Sequence, residues 1–193
     1  APPADVSEGA LQGYRIARIY LDRGDTTRAR AELLPVMKMA PSWPAAHDLK
    51  AAIALREGDE AAAVLAWETS LALDPDQPQV KLVLAELAQR GGDPERAARL
   101  FTEAAAEGAP RAHYRLAVIA FEEHRLFAAR QQLDVFFAAV TGGLDYAPAQ
   151  GLRRIVDRRI LLLQGGVGGG IGFLMVSLVG SLLWRRGGRP LAA

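Results

Sequence analysis

Three histidines, His47, His113 and His124, and a few adjacent carboxylates are the residues best equipped for proton transfer or metal ligation in this chain. No two of the histidines stand about three to five residues apart, the spacing that lets one helix offer both to a zinc ion. His47 and His113 occupy equivalent places in two repeated segments, which marks them as packing or surface residues. The pairs Asp59-Glu60 and Glu122-Glu123 fall at expected helix ends, and a carboxylate at a helix start is favoured by the dipole there. The run from Gly165 to Gly172 contains no Gly-Lys-Ser or Gly-Lys-Thr and follows no strand, so it is not a phosphate loop. A Gly-x-Ser-x-Gly nucleophile elbow is missing, and with no cysteine there is no thiolate chemistry. These residues predict no enzyme, no metal site, no cofactor and no small-molecule substrate. Function is expected to lie in surfaces.

The elements that carry those surfaces are helices. Half of the 193 residues are apolar, with alanine and leucine dominant and β-branched and aromatic residues sparse. The net charge of +1 hides an asymmetry: residues 1–151 carry a net −5 and residues 152–193 a net +6. An acidic body with a basic tail argues against nucleic acid, which needs a positive folded face.

A dipeptide sets the period. Gly24-Asp25, Gly58-Asp59 and Gly92-Asp93 are each separated by 34 residues. Glycine supplies the left-handed conformation that ends one helix, and the following aspartate accepts from the free amides that start the next. Each pair is therefore a joint in a helical hairpin. Measured from the joints, small residues recur at Ala17, Ala51, Ala85 and Ala117 in the first helix and at Ala29, Ala63, Ala97 and Ala129 in the second. Antiparallel helices approach closely only over small side chains, so these alanines mark the crossings. Leu33, Trp67, Phe101 and Leu133, four residues after the second alanine, fill the space between hairpins. Pro41 and Pro75 close second helices, while Pro44, Pro78 and Pro110 open first helices where a missing amide costs nothing. The fourth joint, His124-Arg125, has lost its glycine. The third unit is two residues shorter, because Glu107-Gly108-Ala109 replaces a run such as Leu73-Asp74-Pro75-Asp76-Gln77.

With this period, these joints, paired alanines and closing prolines, the sequence resembles the tetratricopeptide repeat family. The resemblance implies an all-α solenoid of about four hairpins over residues 10–143, divided at 10–43, 44–77, 78–109 and 110–143. Residues 1–9 form a proline-rich lead-in. Gly13, His47, Lys81 and His113 stand where the family places a large residue, and Lys50 where it places an aliphatic one. The concave face of such a stack is lined by its first helices. By register that face carries Tyr14, Arg18, Asp48, Leu55, Leu82, Glu86, Tyr114, Val118 and Phe121, a mixture suited to an extended or helical segment of another protein. Co-chaperones of the family clamp a terminal carboxylate with asparagine after the first-helix alanine. Arg18, Ala52, Glu86 and Val118 hold that place here, so this use is not expected.

A capping and juxtamembrane helix is expected over 144–159, starting near Pro148 and carrying Leu152, Ile155, Val156 and Ile160 on one face. From Ile160 to Trp184 there are 25 residues without a charge. As a helix they would reach about 37 Å, enough to cross a hydrocarbon layer about 30 Å thick. The expectation is a transmembrane helix over 160–184 with a basic tail at 185–193. Gly165/Gly169, Gly168/Gly172 and Ser177/Ser181 have the four-residue spacing at which membrane helices pack closely. Two other readings stand beside it: a glycine linker before about 14 apolar residues, too few to span, and a tail similar to the GlyGly sorting signals that are cut from bacterial surface proteins. Ala1-Pro2-Pro3-Ala4-Asp5 reads like an end left by a signal peptidase, although methionine removal or trimming would look the same.

The expectation is a non-catalytic scaffold anchored in a bacterial inner membrane with its repeats in the periplasm. It would act as an assembly factor or accessory subunit, with integral membrane proteins and lipid as partners. Periplasmic repeat proteins that assist cytochrome c maturation are similar in kind. The alternative is a cytoplasmic tail-anchored adaptor, as among organelle-fission receptors of the family.

Overall fold

The computed structural model describes residues 6–164. Eight helices run in order: α1 Glu8–Asp22, α2 Thr26–Met39, α3 Pro44–Arg56, α4 Glu60–Leu73, α5 Pro78–Arg90, α6 Pro94–Ala106, α7 Pro110–Glu122 and α8 Leu126–Ala139. A further helix, α9, begins at residue 146 and continues to 164, the last described position. No strand occurs among the described residues. The chain divides into two compact units within α7, the first ending at Leu116 and the second starting at Ala117.

The joints behave as their residues require. Gly24, Gly58 and Gly92 adopt φ of 83°, 83° and 82°, a region closed to most side chains. Asp25, Asp59 and Asp93 then accept from the amides of Arg28, Ala62 and Arg96 at 3.0, 2.9 and 2.9 Å. At the fourth joint His124 takes the left-handed conformation itself, with φ 60°. Arg125 follows it without a side-chain cap. The first helix starts two residues earlier than the periodicity indicates, because the Ser7 hydroxyl accepts from Ala10 N at 3.3 Å and caps it.

In the first unit α1 packs on α2, α3 on α4 and α5 on α6, with α2 against α3 and α4 against α5 joining successive hairpins. Ala17, Ala29, Ala51, Ala63, Ala85 and Ala97 are buried at these crossings, and Leu33, Trp67 and Phe101 are buried beside them. The positions that lack the family's large residue are filled in other ways. His47 is buried and its Nε2 lies 2.8 Å from Pro41 O, tying α3 to the preceding turn. A Cβ at Gly13 would stand 2.7 Å from Val36 Cγ2, so the α1–α2 approach leaves no room for one. Lys81 is buried and ion-pairs with Glu107 and, at 3.7 Å, with Glu103. The Glu107 hydrogen bond raises its pKa above the ordinary lysine value, against the opposing cost of burial.

The short third repeat closes differently from the second. Gly108 is left-handed, with φ 85°, and Ala109 N donates to Ala104 O at 2.9 Å. One glycine turn thus replaces the longer connection after α4. There Gln77 Nε2 donates to Ser70 O at 3.1 Å and to Asp74 O at 2.9 Å.

The second unit is built by α8, α9 and the end of α7. Ala117, Ala129, Leu133, Phe136, Ala149, Val156 and Ile160 are buried. Phe137 meets Phe136 and Tyr146 edge-on, each with ring centroids 5.3 Å apart. Arg153 binds Asp134 at 2.6 Å and Asp157 at 3.0 Å, fixing α9 on α8. Two expectations for this helix need correcting. Ile155 is 48 % exposed, because it lies away from the face carrying Val156 and Ile160. Ile160 is 2 % exposed and belongs to the packed unit, so an apolar run free to meet lipid starts no earlier than Leu161. Among the described residues no helix is long and apolar enough to cross a membrane. Gly165, Gly168, Gly169, Gly172, Ser177 and Ser181 lie outside the described residues, as does the basic tail.

Candidate partner-binding face

The first-helix residues of the first unit form two neighbouring features. At one end the half-buried Tyr14 ring lies 4.7 Å from that of Trp43, tilted by 46°. Burial raises the Tyr14 pKa, with Arg18 opposing the shift and Asp48 adding to it, so both charged side chains act on the Tyr14 hydroxyl. Arg18 is exposed. Asp48 is half-buried and its Oδ1 has no donor from the protein. Burial pushes its pKa up, while the neighbouring Ser70 hydroxyl favours the ionised form.

The second feature is a cleft of about 310 Å³ lined by Leu21, Ala52, Leu55, Trp67 and Val83 together with the charged Asp22 and Arg56. Arg56 Nη1 donates to Leu21 O at 2.6 Å. Leu21 O also accepts from Gly24 N at 2.9 Å, so the arginine is a second donor to a joint carbonyl and links two hairpins beside the cleft.

The expected residues divide accordingly. Arg18 and Asp48 each act on Tyr14, and Leu55 lines the cleft. Leu82 is 3 % exposed and serves the interior instead, because its side chain is covered by the packing of α5. Glu86 accepts from Arg115 at 2.9 Å and lies 3.5 Å from Arg111, so its carboxylate already pairs within the protein. Tyr114 is half-buried beside Arg115, whose guanidinium carbon lies 5.9 Å from its ring. Val118 and Phe121 belong to the second unit. There Val118 is half-buried and Arg159 covers Phe121, with its guanidinium carbon 4.8 Å from the ring centroid. Sequence reasoning passed over Leu21, Arg56 and Trp43. Leu21 lies four residues after Ala17, as Leu55 lies four after Ala51, so the register could have found it. Trp43 stands in the turn before Pro44 and carries no periodic signal.

No group of three His, Asp or Glu side chains among the described residues could hold a metal ion. Successive antiparallel hairpins with glycine-aspartate joints and a first-helix face of this composition define a helical-repeat interaction protein. A sequence profile described as tetratricopeptide repeat matches residues 14–78 and 82–139. The chain belongs to the tetratricopeptide repeat family.

No curated protein sequence matches it. Solved structures share its fold at low identity. MamA is similar with a TM-score of 0.59 at 13 % identity, over 67 % of this chain and 77 % of that one. PilW, described as a widely conserved type IV pilus biogenesis factor, gives 0.60 at 18 %, over 74 % and 66 %. YrrB, described as having an unusual peptide-binding site, gives 0.61 at 14 %, over 76 % and 75 %.

Proposed function

We propose that this chain is a non-catalytic, membrane-anchored scaffold that captures a segment of another protein on its first-helix face. It serves as an assembly factor or accessory subunit of a membrane complex. The observation that carries this reading is the half-buried Tyr14, with Arg18 and Asp48 both acting on it, on the same hairpins as the open apolar cleft at Leu55. The cleft at Leu55 would take an apolar side chain of the same segment. The pilus-biogenesis role of PilW and the peptide-binding site of YrrB are uses of this fold that agree with the reading.

Anchoring rests on the uncharged run that ends at Trp184 and would raise the local concentration of a captured partner. The repeats would face the periplasm of a bacterial inner membrane, with integral membrane subunits as partners and the tail glycines packing on one of their helices. Placing a photo-crosslinking residue at Arg18 or Leu55 in cells should trap one protein, whereas the exposed Leu65 of α4 should trap none. The same partner should co-purify from gently solubilised membranes and be lost on Tyr14→Ala/Asp48→Ala substitution. A chain that emerges alone and monomeric would refute the subunit role. Protease protection on sealed vesicles tests the orientation: cleavage of the repeats from the cytoplasmic side would favour the tail-anchored adaptor.

A further inference from the structure

We propose that the outward face of α9 is a docking surface for an anionic lipid bilayer. It deepens the membrane-anchored reading by naming the lipid chemistry and the residues that meet it.

The face is defined by what α9 does not use for packing. Ala149, Val156 and Ile160 are buried and mark its inner side. With about 100° between successive residues, Arg154, Ile155, Arg158, Leu161 and Leu162 fall within an arc of about 120° centred opposite that side. Ile155 is 48 % exposed, Leu161 68 % and Leu162 66 %. The arginines of α9 divide in the same way. Arg153 is held by Asp134 and Asp157, and Arg159 is spent on Phe121. Arg130 of α8 also reaches Asp157, at 3.4 Å. Arg154 and Arg158 are exposed and have no ion-pair partner among the described residues. The carboxylates that neutralise an α9 arginine are thus Asp134 and Asp157, both engaged by Arg153, and the outward side keeps two bare guanidinium groups among three apolar side chains.

Two features choose a bilayer as the occupant. Guanidinium groups interleaved with aliphatic side chains on one helix face match an anionic headgroup layer over acyl chains, the arrangement of interfacial helices. The chain then runs from this face directly into residues 165–184, which carry no charge. An acidic segment of another protein would pair with the arginines but would leave Leu161 and Leu162 without a use.

The test uses the full chain. Because it contains no cysteine, Ile155→Cys gives a single site for an environment-sensitive fluorophore. With vesicles of phosphatidylcholine containing phosphatidylglycerol, the label should shift to the emission of an apolar setting, and salt should reverse the shift. With phosphatidylcholine alone it should stay near its aqueous emission. Adding Arg154→Gln/Arg158→Gln should weaken the phosphatidylglycerol-dependent response about 25-fold, at about fivefold per arginine, with the circular dichroism unchanged. A label indifferent to phosphatidylglycerol would overturn the proposal. So would a shift that appears without vesicles as protein concentration rises, which would make the face a self-association surface. Alkaline carbonate extraction separates the two readings. If it strips the chain from vesicles that nevertheless shift the label, the lipid-docking face stands and the transmembrane anchor fails. If the chain resists extraction while the label ignores phosphatidylglycerol, the anchor stands and the docking face fails.

Discussion

Replacing the joint glycines by alanine isolates the cost of a left-handed backbone, because nothing else at these positions changes. A Cβ built at Gly24, Gly58 or Gly92 meets no atom within 4 Å, so the substitution creates no clash. The three φ values lie between 82° and 83°, so the strain should be the same at each. An L-residue in this region costs about 1–2 kcal/mol. Alanine recovers about 0.4–1 kcal/mol through its stiffer unfolded chain, leaving a net loss of about 1 kcal/mol per joint. His124→Gly runs the comparison in reverse. Histidine is enriched among the residues that tolerate φ of this sign, so the strain relieved and the added unfolded-state entropy should nearly cancel, within about 0.5 kcal/mol. Urea unfolding of the full chain in mild detergent, followed by far-ultraviolet circular dichroism, gives the midpoints, and a constant slope confirms that the unfolded surface is unchanged. Losses that differ among the three glycines by more than about 1 kcal/mol would refute the purely conformational account. A gain above about 1 kcal/mol at position 124 would refute the claim that histidine is already suited to its joint.

Three further variants probe charge. Burial raises the Asp48 pKa, so the folded state holds this proton more tightly than the unfolded state. Its contribution to stability is therefore greatest when it is protonated and falls as pH rises through the raised value. Asp48→Asn should make the protein more stable than wild type at neutral pH, with the difference shrinking in acid, as read from melting temperatures across pH. Lys81 is the opposite case in chemistry but follows the same sign. Its pKa is raised, so its pairing stabilises the fold below the ordinary lysine pKa and is lost as alkaline pH passes the raised value. Lys81→Met should remove that alkaline loss at a cost below about 1 kcal/mol, because Glu103 and Glu107 retain access to water. Glu103→Ala/Glu107→Ala removes both partners and opens the ammonium to water, so it should cost about 1 kcal/mol and return the Lys81 pKa toward its ordinary value.

The fold was legible because its signals are local and recur. A glycine that must be left-handed, an aspartate that must cap and an alanine that must let two helices touch are each set by backbone sterics, and Gly24, Ala17 and Asp25 obey them. The binding face was less legible, because register gives the side of a helix on which a residue lies and not how deep its neighbours bury it. Leu82 and Leu55 share the first-helix face, yet Leu82 is covered and Leu55 lines a cleft. Glu86 could not be seen as paired, because Arg115 reaches it from 29 residues away. Arg159 over Phe121 is a still longer link, set by how α9 lies in its unit.

Lys81 and the shortened turn at Gly108 are halves of a single departure. Glu107 caps the end of α6 immediately before the left-handed glycine, and the same residue holds the buried lysine. The segment 78–109 is thus a matched cassette, and its lysine and its truncated exit travel together. In an array assembled from this chain's parts, segment 44–77 could be duplicated with its exit loop intact. Segment 78–109 could be grafted only whole, because a standard exit would orphan the ammonium and a standard first helix would leave the short exit without its clasp.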